Sequence, residues 1–410
     1  MAKHLNLVLA NAPINNGNRG CVALTVSTLF LLDEILKEKN IDYSITLTDS
    51  QCAPGIHIYP ISEAQLKFKS SINIIPATTR SRARIWMERI LSRDQYKDAQ
   101  KALENSDYIF DIGQGDSFAD IYGAIRFADI DKIHRFAIKN NKPFCFLPQT
   151  IGPFKNDAIL KKARRSIEKA AMVMVRDKQS CDYVKKISPK QECLSEYIDL
   201  AFFLPYTRIK FDQNYIHVGL NISALLWNGG YTQNNQFGLN IDYQHTVRSI
   251  IEFFISIPNV KVHLIPHVVL QERSIENDYG VSFDLYREYN SPNLVLSDFF
   301  LGPVEAKNYI SGMDFFMGAR MHSTIAAFSS CTPVVPMAYS RKFNGLFADT
   351  LHYPYMIDMK ADEEIKILDI IQYCFENRAL LKAEIEKQME TTVALAKKRF
   401  ECDICNFLHL

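Results

Sequence analysis

One stretch of the sequence, residues 315 to 345, limits the fold more than any other. An apolar run from Asp314 to Met317 meets Gly318 and gives way to Arg320, His322, Ser323 and Thr324, which lead into Ile325-Ala-Ala-Phe. That order predicts a buried strand turning into a helix, with a polar cluster at the corner. Free backbone N–H groups and the positive end of a helix dipole gather at such a corner, and a guanidinium adds a planar fork for carboxylate or phosphate, so the corner suits an anion. The next apolar run, Pro333 to Ala338, ends just before Lys342. Adjacent strands of a parallel sheet open on the same side, which brings Lys342 to the same rim. The expected class is α/β.

The strand, glycine-bearing loop and helix recur along the chain. Residues 4–10 read as a strand and Cys21 to Glu38 as a helix, joined by Pro13-Ile-Asn-Asn-Gly-Asn-Arg-Gly20. The loop's spacing is neither a dinucleotide fingerprint nor a P-loop. Asn16, Asn18 and Arg19 are binding candidates in it, and a turn that only closes the loop is the alternative. Tyr43 to Thr48 is the second strand, and Asp107 to Ile112 is another, ending in Gly113-Gln114-Gly115-Asp116. Gln114 and Asp116 are candidates for an acceptor hydroxyl, with Asp116 either a base or the N-cap of a helix before Phe118. Further strands are read at Phe144 to Leu147 and at Met172 to Val175, whose tip carries Arg176 and Asp177.

Leu204 to Gln213 reads as an inter-domain connection, after which the alternation restarts with a strand from His217 to Ile222. Trp227 to Asn240 pairs aromatic faces with amides and carries almost no charge. Sugars present apolar C–H faces and dense hydroxyls, so Trp227 and Tyr231 are acceptor candidates; a flexible surface loop is the alternative. Val260 to Ile265 is a strand ending in Pro266-His267, and His267 either faces the crevice or satisfies a local carbonyl. Asp362 to Phe375 and Arg378 to Cys402 read as helices, the last crossing back to the first domain.

Composition sets outer bounds. A chain of 410 residues exceeds one ordinary core. The expected division is 1–210, 211–377 and a C-terminal helix within 378–410. A net charge of +1 gives no reason to propose nucleic-acid binding. Apolar runs such as Ala23 to Leu32 fall short of the roughly 20 residues of a membrane span, and the short apolar start reads as a strand and not a signal peptide. Nine scattered cysteines do not make a disulfide framework, so cytoplasm is the expected compartment; Cys402 and Cys405 read as helix packing. Metal-ligand spacing does not recur, and neither metal nor cofactor is expected. Between 67 and 97 the chain collects Lys67, Lys69, Arg80, Arg82, Arg84, Arg89, Arg93 and Lys97. That basic face suits peripheral contact with the inner membrane surface or a lipid diphosphate; a solvated helix face or flap is the alternative.

Gly-Ala-Arg-Met-His-Ser at 318–323, the run 332–343, Leu-Pro-Gln-Thr-Ile-Gly-Pro-Phe at 147–154 and Val-Arg-Asp at 175–177 with Ser180 together resemble the polysaccharide pyruvyl transferases, in the same order along the chain. The resemblance implies two facing Rossmann-like domains of the GT-B glycosyltransferase architecture, the first on the acceptor side and the second on the donor side. It also implies transfer of pyruvate from phosphoenolpyruvate to a hydroxyl pair of a sugar as a cyclic ketal. The acceptor would be a polysaccharide or a lipid-linked precursor. Arg176, Arg320 and His322 are the catalytic candidates, and with Ser323 and Lys342 they are the donor-binding set. An imidazole's ordinary pKa lies near neutrality, which suits His322 as the acid. The family usually carries an acidic residue after the second loop glycine, where this chain has Cys21. A nucleotide-sugar glycosyltransferase and a non-catalytic glycan-binding scaffold are the rival readings.

Overall fold

The structure is a computed structural model that describes residues 4–48, 55–61, 64–71, 100–270 and 274–410. The chain divides into two compact units, one of 1–16, 24–200 and 396–410, the other of 17–23 and 201–395.

Unit one is built on a sheet of β1 (Leu5–Ala10), β2 (Tyr43–Thr48), β3 (Gly55–Ile61), β4 (Ala64–Ser71), β5 (Tyr108–Asp111), β6 (Phe144–Gln149), β7 (Met172–Val175) and β8 (Leu194–Glu196). Their order is β3-β4-β2-β1-β5-β6-β7-β8, parallel throughout except for the β3–β4 hairpin. β5 and β6 are buried on both faces, which is why they read as continuous apolar runs. In β4, exposed Lys67 and Lys69 flank buried Phe68. That period of two puts Lys67 and Lys69, the first cations of the basic stretch, on the exposed face of a strand. The remainder of the 67–97 segment lies outside the described residues, apart from residues 70 and 71.

Unit two carries β9 (Ile216–Asn221), β10 (Val260–Leu264), β11 (Leu294–Leu296), β12 (Phe315–Gly318), β13 (Val334–Ala338) and β14 (Ile357–Asp358). They are ordered β11-β10-β9-β12-β13-β14 and all parallel. Counting from β9, this is the 3-2-1-4-5-6 order of a dinucleotide-binding fold, and the order reverses between β9 and β12. Ligands of open α/β sheets bind beyond the carboxyl ends of the strands at that reversal. In unit one the reversal lies between β1 and β5.

The expected helix from Arg378 to Cys402 is two helices, Arg378–Gln388 and Ala394–Leu408, joined by a π-turn at Met389–Val393. There the Thr391 hydroxyl bonds back to the Lys387 carbonyl and the Thr392 hydroxyl to Gln388 Oε1. The last helix packs on unit one, with Phe407 edge-on to Tyr108 and Phe110 at 5.2 and 5.5 Å. Among the described residues no helix is long and apolar enough to cross a membrane.

A buried polar chain runs through unit two away from the strand tips. His217 Nε2 meets the Asp212 carbonyl at 2.9 Å, His217 Nδ1 meets His263 Nε2 at 2.9 Å, and His263 Nδ1 meets the Tyr309 hydroxyl at 2.7 Å. A carbonyl only accepts, so with both rings neutral every proton is assigned: Tyr309 donates to His263, His263 to His217, and His217 to Asp212. Burial, then the charges of His217 and Lys261, push His263 down to about 3. The unfolded chain binds a proton near 6.5 that the folded chain refuses, so stability falls as pH drops from about 6.5 toward 3, by up to about 1.4 kcal/mol per pH unit from this group. Denaturant titrations at pH 7.5 and 5 should show a smaller acid loss for His263→Phe than for the parent protein.

Candidate active site

In unit two the loops after β9, β10 and β12 converge on Asp278, the first residue of the helix Asp278–Tyr289. Its carboxylate is fully buried and accepts the Ala224 N–H at 2.8 Å and the Val268 N–H at 2.9 Å. The Arg320 guanidinium completes its shell through Nη2 at 2.7 Å and Nε at 3.1 Å. Arg320 Nη2 also donates to the Glu276 carbonyl at 3.1 Å, and the Arg320 N–H donates to Asn221 Oδ1 at 2.9 Å. Burial works against the Arg320 charge, but the charge and hydrogen bonds of Asp278 outweigh it and hold the pKa above the ordinary arginine value. One carboxylate thus fixes the loop ends to one another and orients the arginine.

His322 lies in the first turn of the helix Met321–Phe328. Its ring rests on the start of the helix Arg19–Glu38, where a Cβ added to Gly20 would stand 2.2 Å from His322 Nδ1. This close approach is what the second loop glycine provides. His267, at the tip of β10, is 3% exposed, and neither of its ring nitrogens has a hydrogen-bond partner among the described residues. Burial, then the charges of His322, Arg320 and Arg19, push its pKa well below the ordinary imidazole value, so it is a neutral imidazole. The expectation that it satisfies a local carbonyl is corrected. Its peptide groups are the engaged ones, the carbonyl accepting the Arg19 N–H at 3.2 Å and the N–H donating to Asp278 Oδ2 at 3.4 Å.

The remaining candidates divide. Asn18 bridges Val268, and its Oδ1 accepts the Gly20 N–H at 3.0 Å. Arg19 is buried, with Nη2 and Nε on the Phe300 carbonyl at 2.7 and 3.1 Å. Both therefore fasten the helix start to unit two, which favours the loop-closing alternative for them. Ser323 is fully buried and donates its hydroxyl to the Arg320 carbonyl at 2.7 Å, so it shapes the corner from behind and offers no hydroxyl to a ligand. Lys342 is half-buried in the short helix Arg341–Phe343, past the carboxyl end of β13 and on the rim the sequence assigns it. Trp227 ends the helix Ala224–Trp227 with Arg248 over its ring at 5.4 Å. The Tyr231 hydroxyl donates to the Glu276 carboxylate, which joins the amide-rich loop to the residue that also holds Arg320.

Unit one repeats the plan with other residues. Asp111, at the end of β5, is fully buried and accepts Asn11 Nδ2 at 2.6 Å, the Gly113 N–H at 3.2 Å and Gln149 Nε2 at 3.3 Å. His134 Nε2 lies 3.0 Å from it, with Asp131 at 3.5 Å from the other ring nitrogen. Burial opposes the His134 charge, but the two carboxylates raise its pKa to about 9. Arg176 is 2% exposed, with Nη1 on Asp199 at 2.7 Å and Nε on the Thr150 hydroxyl at 2.9 Å. Its guanidinium stands beside Gly115, whose φ of +92° favours glycine. Gln114 Oε1 accepts from Arg126, and Asp116 accepts the Tyr122 hydroxyl at 3.0 Å. The next helix begins only at Gly123, with Tyr122 as its N-cap, so the expectation that Asp116 caps a helix before Phe118 is corrected. Asn16 is half-buried on the loop after β1.

Sequence reasoning missed Asp278, Asp111, His134, Asp199 and Glu276. Asp111 left a signal, since a charge inside an apolar strand must find partners. Asp278 left none, because an acid in the first turn of a helix is ordinary. Among the described residues no group of three His, Cys, Asp or Glu side chains is placed to hold a metal ion.

A family model described as polysaccharide pyruvyl transferase matches residues 18–341. The chain belongs to that family. The match takes in the Arg320–His322 corner, Arg176 and the loops gathered on Asp278 and Asp111. No curated protein matches in sequence. In fold the family member is similar to sucrose-phosphate synthase from Thermosynechococcus elongatus, with a TM-score of 0.59 at 11% identity, covering 99% of this chain and 100% of that one. It is also similar to HepE of Anabaena in complex with UDP-glucose, with a TM-score of 0.56 at 10% identity over 98% and 99% of the two chains. The UDP-GlcNAc 2-epimerase from Neisseria meningitidis bound to UDP-GlcNAc gives a TM-score of 0.56 at 11% identity over 99% of each chain. The chain thus has the α/β fold of GT-B glycosyltransferases and epimerases.

Replacing Asp278 by Ala strands a buried guanidinium and the peptide N–H groups of Ala224, His267 and Val268. Loss of one partner of a buried pair costs about 3–5 kcal/mol. The expected result is destabilisation of unit two by that amount, with a smaller loss in Asp278→Asn; urea unfolding followed through Trp227 fluorescence in a Trp86→Phe background measures both.

Proposed function

We propose that the protein transfers pyruvate from phosphoenolpyruvate to a pair of hydroxyls on a sugar, in a polysaccharide or a lipid-linked precursor, forming a cyclic ketal and releasing phosphate. The observation that carries the reading is the corner after β12, where Arg320 and His322 stand beside neutral His267 in a chain that belongs to the pyruvyl transferase family. Phosphoenolpyruvate brings a carboxylate and a phosphate on one small frame, and guanidinium charge suits either; with Nε and Nη2 of Arg320 held by Asp278 and Glu276, Nη1 is the group proposed to meet the donor.

Three events make up the reaction. A proton is added to the methylene carbon, a sugar oxygen to the central carbon, and the bond from that carbon to the phosphate oxygen breaks. The second hydroxyl then closes the ketal. His322 is the proposed proton donor to the methylene, with help of this kind worth about 100-fold to 10,000-fold. Arg320 stabilises charge on the leaving phosphate, and its fixed position lowers the reorganisation needed to do so. Lys342 is the proposed further cation on that rim. Arg176, which the resemblance also assigns to the donor, is a proposed catalytic residue acting from within unit one, where Asp199 and Thr150 hold it.

Phosphate release from phosphoenolpyruvate, measured with galactose-, glucose- and N-acetylmannosamine-terminated acceptors, tests the reading. The expected outcome is release that requires one of these acceptors, falls about 100-fold or more in His322→Ala and is lost in Arg320→Ala. Acceptor-dependent release that Arg320→Ala leaves unchanged would contradict it.

A further inference from the structure

The amide-rich loop between Trp227 and Asn240 is ordered by its own bonds. Gly229 and Gly230 turn it with φ of +73° and +85°, the Tyr231 N–H donates to Gln236 Oε1 at 2.7 Å, and Asn235 bonds Leu239 in both directions at 2.8 and 2.9 Å. Several contacts attach it to its surroundings, two of them through aromatic side chains. Phe237 packs edge-on to Tyr339, just past β13, with ring centres 5.2 Å apart, and the Tyr231 hydroxyl donates to Glu276. Tyr231 itself remains 54% exposed. This loop is a built wall beside Arg320, and its outer face is an aromatic ring of the kind that sugar C–H faces stack on.

Two carboxylates lie close enough to Arg320 to act on its charge, Asp278 and Glu276. They differ in what they have left to offer. Asp278 is fully buried, with both oxygens occupied by peptide N–H groups and the guanidinium. Glu276 is half-buried, and its carboxylate takes the Tyr231 hydroxyl while its peptide carbonyl takes Arg320 Nη2. A carboxylate has lone pairs for several donors, so one hydroxyl does not saturate it. A group with spare acceptor capacity, held next to the proposed donor anchor by a sugar-facing tyrosine, has the position a base for the acceptor hydroxyl needs.

We propose that Glu276 is the general base that activates the acceptor hydroxyl and that Tyr231 both holds Glu276 and carries the acceptor sugar on its ring. This rests on the pyruvyl-transfer reading and names a residue for it. In the addition step the Glu276 carboxylate takes the proton of the sugar hydroxyl while that oxygen bonds to the central carbon of the enol phosphate. The carbon–carbon double bond supplies its electron pair to a new C–H bond with the proton of His322. The carbon–oxygen bond to phosphate then breaks with its electrons on phosphate, and the second hydroxyl closes the ketal as its proton passes to the phosphate. The proton on Glu276 returns to His322 through solvent, so both residues end as they began.

The test is acceptor-dependent phosphate release as a function of pH in the parent protein, Glu276→Gln, Tyr231→Phe and Asp116→Asn, with donor binding followed by the thermal shift that phosphoenolpyruvate produces. Glu276→Gln should lose about 100-fold or more in kcat and lose the acid limb of the kcat profile, while phosphoenolpyruvate still protects it. Tyr231→Phe should keep the acid limb while kcat falls, because Glu276 loses the hydroxyl that holds it in place. Full kcat in Glu276→Gln, a loss that leaves the acid limb in place, or removal of the limb by Asp116→Asn would overturn the assignment while the pyruvyl-transfer reading stood. A parent protein that releases no phosphate from phosphoenolpyruvate with any acceptor would overturn both.

Discussion

The Asp278–Arg320 pair is the interaction on which unit two's chemistry depends. Removing two charges from water is costly, and their mutual attraction in a low-dielectric interior roughly repays that cost only when the geometry is good and the other lone pairs are satisfied. Asp278 meets that condition by also accepting the Ala224 and Val268 peptide N–H groups. The yield is position more than stability. Arg320 cannot swing, because Asp278 takes Nε and Nη2 and the Glu276 carbonyl shares Nη2. A guanidinium fixed beforehand loses little freedom when an anion arrives.

Unit one solves the same problem at its own strand reversal. Asp111 gathers Asn11, Gly113 and Gln149 from the ends of β1, β5 and β6, and His134 behind it supplies the compensating charge. Arg176 is paired with Asp199 in the same manner. In each sheet a buried carboxylate at the tip of the fold sets where the loops leave. The histidines then differ by surroundings alone: burial disfavours the charge of both, the two carboxylates beside His134 overcome it and hold that ring protonated, and the charges around His267 add to it and leave that ring neutral. Identical side chains serve opposite electrostatic roles because their neighbours have opposite sign.

Much of the fold was legible because parallel strands are buried on both faces and write themselves as apolar runs. Phe315 to Gly318, Val334 to Ala338 and Phe144 to Gln149 are of this kind, and each ends where a glycine or a polar cluster begins. The β3–β4 hairpin was not legible, since Lys67 and Lys69 look only like the start of a longer basic stretch when read without a period. Of the candidate site, the strand-to-helix corner could be read directly, because residue type and local order suffice to define it. The carboxylates that hold it could not. Asp278 lies 42 residues from Arg320, and only the crossing of β9, β10 and β12 brings them together. Ser323 and Arg19 looked like ligand contacts because a sequence shows a polar group but not the carbonyl that engages it.

The HepE and epimerase structures are complexes with UDP-glucose and UDP-GlcNAc and share only their fold with this chain, whereas the donor proposed from family membership and the Arg320–His322 corner is an enol phosphate. The two donors differ in what they need from the protein: a uridine wants a shaped pocket for its base, whereas phosphoenolpyruvate wants dense positive charge on a small frame. Competition between the two donors for the protein is therefore the most direct test. Thermal unfolding should be delayed by sub-millimolar phosphoenolpyruvate, with UDP-glucose and UDP-GlcNAc giving no shift and failing to displace it. Protection by a sugar nucleotide and none by phosphoenolpyruvate would contradict the account.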